Sequence, residues 1–186
     1  MSKNKIILII NNVEIIEYFI NGNFKVKKFK KFPFASYPNG ANCIPVNSFL
    51  QSAEISVLSY ESIKKKAYNL SHLINYCFKE KLNFTQFKEE DLINFSNNLK
   101  NELNIKEPNK KLRSNNTINW ILKTCLSFFD YIGKKFLNID DYCETIFNAV
   151  KRKAIVDLGE SNKKIEKSGW YHVCFAPYDH KKKRTP

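Results

Sequence analysis

The chain has 186 residues, of which 43% are hydrophobic and 14% aromatic, so it can bury the core of one ordinary domain plus an appendage. This composition argues against intrinsic disorder, and no apolar run reaches the roughly eighteen residues that a transmembrane helix needs. The formal net charge of +13 favours a polyanionic partner, most often nucleic acid. A composition rich in Lys, Asn and Ile, as AT-rich genomes impose, explains the same charge equally well.

Residues 1–55 predict a small β-rich segment. Asn21-Gly22 lies between two alternating apolar stretches, which is a strong hairpin signal, and Pro38-Asn39-Gly40 predicts a second turn. We expect a sheet of two to four strands that packs on the helical part, because an isolated hairpin is only marginally stable. No signal peptide is expected, since polar residues interrupt the first apolar stretch and no small-residue cleavage site follows.

Residues 56–153 predict a helical domain. Apolar residues recur three or four positions apart in residues 61–84, 88–103 and 114–135, which is the pattern of amphipathic helices. Three such faces are expected to bury against one another. Ser59 or Ser62 is a candidate cap for the first helix, and one of residues 114–116 for the third.

A fourth helix is predicted over residues 139–153. Asp140 would cap its start, and the basic residues 151–153 would complement its carboxyl end. Residues 154–186 are expected to form a basic C-terminal linker or tail, although part of this stretch has strand-like apolar residues.

The residue types for catalysis or metal binding are sparse. None of the five cysteines forms a CxxC pair, which favours a reduced, cytoplasmic protein without structural zinc. His172 and His180 lie near Cys174, but a zinc site needs four convergent ligands. The acidic groups at residues 89–91 and 140–141 are best explained as helix-start residues. No cofactor or small-molecule substrate is expected, and a metal-dependent nuclease ranks last among the hypotheses.

The helices also carry polar residues suited to DNA. Lys64, Lys65 and Lys66 form a basic turn on the first helix that could hold phosphates. On and just before the third helix, the side away from the apolar stripe is predicted to present Arg113, Asn116, Thr117, Asn119, Trp120 and Lys123. A solvated helix face, with Trp120 sealing the edge of the bundle, is the competing interpretation.

The order of these segments resembles the N-terminal core-binding domain of the tyrosine recombinase, or phage-integrase, family. The resemblance covers residues 30–153 and is carried by FPFASYPNGANCIPVNSFL, AYNLSHLINYCFKEKLNF, FKEEDLINFSNNL and SNNTINWILKTCLSFFDYIGKK. The resemblance consists of hydrophobic segments that follow one another in the family's order, and it includes no catalytic motif. The closing HKKKRTP is similar to the linker that precedes the family's catalytic domain.

The resemblance implies a mainly α fold, with a SAM-like bundle of about four helices after a small N-terminal hairpin region. It implies binding of double-stranded recombination-site DNA, together with other recombinase protomers, and adds Lys151, Arg152 and Lys153 to the candidate contacts. The family's arginine–lysine–histidine–arginine set and nucleophilic tyrosine have no counterpart here, so we expect a truncated form without catalytic residues. The alternative is a helical protein-interaction or regulatory module without DNA affinity.

Overall fold

The computed structural model describes residues 6–18, 24–52, 55, 57–103, 112–157 and 164–177, and gives the backbone alone for residues 17, 18, 24, 25, 152–157 and 164–169. The helices are α1 (Ile44–Gln51), α2 (Tyr60–Glu80), α3 (Glu89–Asn101), α4 (Asn115–Ile132) and α5 (Tyr142–Phe147). The strands are β1 (Ile7–Tyr18), β2 (Phe24–Ala35), β3 (Val150–Asp157) and β4 (Lys164–Tyr171). The described chain is therefore mainly helical, with a two-stranded sheet near its N-terminus, as predicted.

Internal contacts divide the chain into two units, Met1–Leu82 and Asn83–Pro186. The division lies within the helical domain predicted for residues 56–153. The three segments predicted from the sequence, 1–55, 56–153 and 154–186, remain predictions.

In the first unit, β1 and β2 form an antiparallel hairpin whose register runs from Ile7 opposite Ala35 to Tyr18 opposite Phe24. The predicted Asn21-Gly22 turn lies outside the described residues. The second predicted turn is confirmed, because the Gly40 N–H donates to the Tyr37 carbonyl and Gly40 has a φ of 88°. This left-handed backbone conformation is one that glycine adopts without steric cost.

Helix α1 was missed by the sequence analysis, which predicted only β-structure before residue 55. Its signal is short: a proline in the first turn, which fits a helix start, followed by buried Val46, Phe49 and Leu50 at helical spacing. Eight residues offer too few periods to separate a helix from an apolar loop.

Helix α2 begins after Ser59, whose hydroxyl accepts a hydrogen bond from the Ser62 N–H at 3.3 Å, so Ser59 is the cap. Its buried face packs on β2 and α1. The members of that face are Ile63, Ala67, Leu70, Leu73, Ile74 and Cys77. The contacts between β2 and α2 agree with the prediction that the sheet packs on the helical part, and α1 is a further partner of this helix that was not predicted.

The asparagine at position 47 joins α1 to the end of β2. Its amide nitrogen donates to the Ala35 carbonyl at 2.8 Å, and its amide oxygen accepts from the Ala35 N–H at 2.8 Å. The side chain is buried and thus supplies the pairing that a third strand would otherwise give.

In the second unit, α3 and α4 pack against each other around an aromatic core. The Phe87 and Phe129 rings stack with centroids 4.8 Å apart, and Phe129 lies 5.0 Å from Phe147. Ser114 caps α4 by accepting from the Thr117 N–H at 3.2 Å, as one of the three candidates predicted. Gly133, where α4 ends, is required because a Cβ there would lie 2.2 Å from the Cβ of Tyr142.

The structure confirms a helix in the first part of the fourth predicted segment but not in its last part. Helix α5 starts after Asp141 and ends at Phe147, because Asn148 adopts a left-handed conformation with φ 49° that ends the helix. Residues 150–157 form strand β3, which pairs antiparallel with β4. The basic residues 151–153 consequently lie on a strand and not at a helix terminus, and the predicted linker contains a hairpin.

We predict that Asn47→Leu lowers the free energy of unfolding by about 2–3 kcal/mol, because it leaves the buried N–H of Ala35 without its acceptor. Urea denaturation followed by circular dichroism measures the change. Asn75→Leu, on the exposed side of α2, is the matched control and should change stability by no more than about 0.5 kcal/mol. Equal effects of the two variants would contradict a stabilising role for the Asn47 amide.

Candidate nucleic-acid interface

Helix α4, in the second unit, carries an exposed tryptophan and a half-buried lysine. Trp120 is 57% exposed, and Lys123 lies one turn further along the same side of the helix. The Lys123 ammonium lies 5.9 Å from the centre of the Trp120 ring, which is within the range of a cation–π interaction.

Two further rings approach the same ammonium from the C-terminal part of the unit. The Tyr171 ring centre lies 5.7 Å and the Phe175 ring centre 5.9 Å from Lys123 Nζ. Tyr171 ends β4 and is 41% exposed. We call Trp120, Lys123, Tyr171 and Phe175 the aromatic–lysine surface. It offers a positive charge at the centre of three apolar rings.

Buried polar side chains hold the chain segment that carries Phe175. The Asn119 amide nitrogen donates to the Ala176 carbonyl at 2.8 Å, and the Ala176 N–H donates to the Asn119 amide oxygen at 2.9 Å. The Ser96 hydroxyl donates to the Cys174 carbonyl at 2.7 Å. Residues 172–177 form neither helix nor strand, so these side chains satisfy backbone groups that have no regular partner.

His172 adds a third attachment. Its Nδ1 accepts a hydrogen bond from the Cys174 N–H at 3.2 Å, so its Nε2 carries the proton and donates to Glu89 Oε1 at 3.2 Å. The other Glu89 oxygen accepts from the Asn148 amide at 2.7 Å. Both ring nitrogens of His172 are thus engaged in holding the segment to the start of α3.

The structure corrects one candidate contact. Asn119 was predicted to face solvent, but its side chain is 1% exposed and its amide is committed to Ala176. Asparagine is polar, so the sequence pattern assigned it to the outer face of α4. Its position inside follows from the need of Ala176 for hydrogen-bond partners.

The other candidates near the start of α4 are engaged in local structure. The Arg113 side chain is 12% exposed and its guanidinium pairs with Glu102. The exposed Thr117 hydroxyl lies 2.9 Å from Ser114 Oγ as part of the helix cap. Asn116 is half-buried. The sequence alone did not reveal the ion pair of Arg113, the cap contact of Thr117 or the partial burial of Asn116.

The three candidate lysines near the start of α2, in the first unit, differ in their contacts and burial. Lys64 pairs with Glu61 at 3.4 Å and lies 5.5 Å from the Tyr60 ring, whereas Lys65 is exposed. Burial lowers the pKa of Lys66. Successive helix residues point about 100° apart, so the three do not form one basic face.

On β3, Lys151 is exposed and its ammonium lies 5.4 Å from the ring of Trp170, its partner in the β3–β4 register. The side chains of Arg152 and Lys153 lie outside those that the structure describes. Sequence reasoning missed Tyr171 and Phe175 as partners of Lys123. They lie about fifty positions away along the chain, and no local pattern connects them.

Comparisons with protein-family models, with curated proteins and with solved structures found no match to this chain. Within the described ranges, no helix is both long and apolar enough to cross a membrane. In the same part of the chain, no three His, Cys, Asp or Glu residues are grouped so as to hold a metal ion.

The buried thiol of Cys174 predicts a pH dependence of stability. Burial raises its pKa from the ordinary 9.0 to about 11, so the folded chain keeps a proton that the unfolded chain loses between these values. Stability from the neutral thiol is complete below pH 9 and is lost as the pH rises towards about 11. We expect the fall in unfolding free energy over this window to be smaller in Cys174→Ala, by up to about 2 kcal/mol. Urea denaturation at several pH values measures it, and parallel curves for the two proteins would contradict the assignment.

Proposed function

We propose that the protein binds double-stranded DNA, as the N-terminal core-binding part of a site-specific tyrosine recombinase or integrase. The segments that resemble the family correspond to helices α2, α3 and α4 in the same order, with α5 following. A SAM-like arrangement of these helices is part of the proposal. Strand cleavage would belong to a separate catalytic domain with a tyrosine nucleophile.

The observation that carries the proposal is the position of Lys123 on the aromatic–lysine surface. The Lys123 ammonium is carried by helix α4 and lies within 5.9 Å of the centres of three aromatic rings. A lysine ammonium is a compact positive charge that can bind a phosphate oxygen. With a net charge of +13, the whole chain attracts a polyanion over the range set by salt screening.

Lys151 supplies a second cation on the same unit, near the start of β3. In the first unit, Lys65 and Lys64 supply others on α2, although Lys64 is shared with Glu61. Phosphate contacts of this kind provide affinity without sequence specificity, and they release counterions.

A protein-interaction module is the second candidate, and one observation favours it. The β1–β2 hairpin exposes aliphatic side chains on the strand positions that alternate to one face: Leu8, Ile10, Ile16 and Val26. Exposed apolar groups on a sheet commonly mark a protein contact. Under this function the chain forms no saturable DNA complex near physiological salt.

We predict a saturable complex with duplex DNA whose log affinity falls linearly with log salt concentration. Lys123→Glu should reduce the magnitude of that slope by about one and weaken binding at every salt concentration. Fluorescence anisotropy with a labelled duplex across a salt series gives both values. Lys135→Glu makes the same charge change at an exposed position after α4 and is the matched control. Absence of binding even at low salt would refute DNA binding and leave the interaction module as the function.

A second prediction concerns α2. The double variant Lys64→Glu/Lys65→Glu should weaken duplex binding and lower the salt slope, whereas Lys79→Glu at the far end of the same helix should have less effect. Lys66 is left unchanged because it is half-buried and its replacement would perturb packing. Lys79→Glu makes half the charge change of the double variant, so a loss of log affinity from Lys79→Glu that is half that of the double variant or more would show that α2 contributes only general charge.

A further inference from the structure

The aromatic–lysine surface contains more apolar ring area than phosphate binding requires. Trp120 and Tyr171 are both exposed, although aromatic rings gain free energy when they leave water. The bases of an intact duplex stack on one another and present edges, not faces, to a protein. An unpaired base presents both faces of its ring system, and stacking on protein aromatic groups beside cations is how single strands are commonly bound.

We propose that this surface stacks unpaired nucleobases while Lys123 binds an adjacent phosphate, so that the protein prefers single-stranded or locally unpaired DNA to intact duplex. The inference rests on the proposed function of DNA binding and names the form of DNA that the second unit takes.

The spacing of the groups fits this ligand. Three ring centres lie within 5.9 Å of one ammonium, so a base on a ring places its own backbone close to the Lys123 charge. A nucleotide joins a planar ring to an anionic phosphate, and this surface places aromatic rings beside a cation. A purely apolar protein partner would gain nothing from the central charge.

The surface is also preorganised. The Asn119 and Ser96 hydrogen bonds fix residues 172–177, and α4 fixes Trp120 and Lys123. The Thr124 hydroxyl, which donates to the Trp120 carbonyl at 2.8 Å, adds to the order of the helix at that point. A ligand that binds such a surface loses little free energy to ordering the protein.

A salt series distinguishes the contribution of base stacking from that of charge attraction, because only the latter depends strongly on salt concentration. We would measure anisotropy of the full chain with labelled oligodeoxythymidylate and, separately, with an intact duplex of the same number of nucleotides. Trp120→Leu and Tyr171→Leu should each weaken single-strand binding by about tenfold, with the salt slope unchanged, because stacking releases no counterions. Duplex binding should change little.

Two further variants sharpen the test. Trp120→Phe keeps a ring and should recover most of the affinity that Trp120→Leu loses. Phe136→Leu removes another exposed ring of the same unit, which packs 6.2 Å from Tyr131, and should leave single-strand binding unchanged. Circular dichroism of each variant checks that it is folded, which the exposure of Trp120 and Tyr171 favours.

Quenching of tryptophan fluorescence provides an independent signature. Trp120 is exposed and Trp170 is buried, so single-strand binding should quench the wild-type protein more than Trp120→Phe.

The outcomes distinguish the two proposals. Duplex binding with no preference for oligodeoxythymidylate, and with no effect of Trp120→Leu, would overturn the inference and leave the proposed function standing. Binding of neither DNA would overturn both. A surface that retains single-strand binding in Trp120→Leu but loses it in Phe136→Leu would also overturn the inference, because the stacking rings would lie elsewhere.

Discussion

The structure depends on buried amide side chains that satisfy backbone groups where regular secondary structure stops. Asn47 in the first unit and Asn119 in the second each bond both the N–H and the C=O of a single alanine, at Ala35 and Ala176 respectively. An asparagine amide has one donor side and one acceptor side, so it can replace a neighbouring strand at one residue. A buried backbone N–H without an acceptor is costly, which makes these two side chains difficult to replace.

This constraint connects stability with the proposed site in the second unit. Asn119 lies on α4 next to Trp120, and its amide fixes the segment that brings Phe175 to Lys123. One helix therefore directs an asparagine inward and its neighbouring tryptophan outward. The inward Asn119 orders the segment. The outward Trp120 lies beside Lys123, which the Phe175 ring of that segment also approaches. The same packing that completes the core also arranges the surface.

The net charge of +13 describes the chain, whereas the contacts of individual lysines decide where a polyanion can bind. Lys64 is shared with Glu61, and Lys66 is half-buried with a lowered pKa. Lys123 instead lies beside three aromatic rings, each with its centre within 5.9 Å of the ammonium. A high net charge by itself gives long-range attraction, and the local surroundings of each cation determine a site.

The sequence by itself determined the long helices, the caps at Ser59 and Ser114 and the turn at Gly40, because helical periodicity and turn chemistry are properties of neighbouring residues. It also determined the excess of positive charge. Only the tertiary structure decided that Asn119 lies inside, that strand β3 follows α5, and that Tyr171 and Phe175 meet Lys123. These features arise because distant backbone groups must find hydrogen-bond partners and apolar faces must find cover, and neither need is visible within one turn of helix.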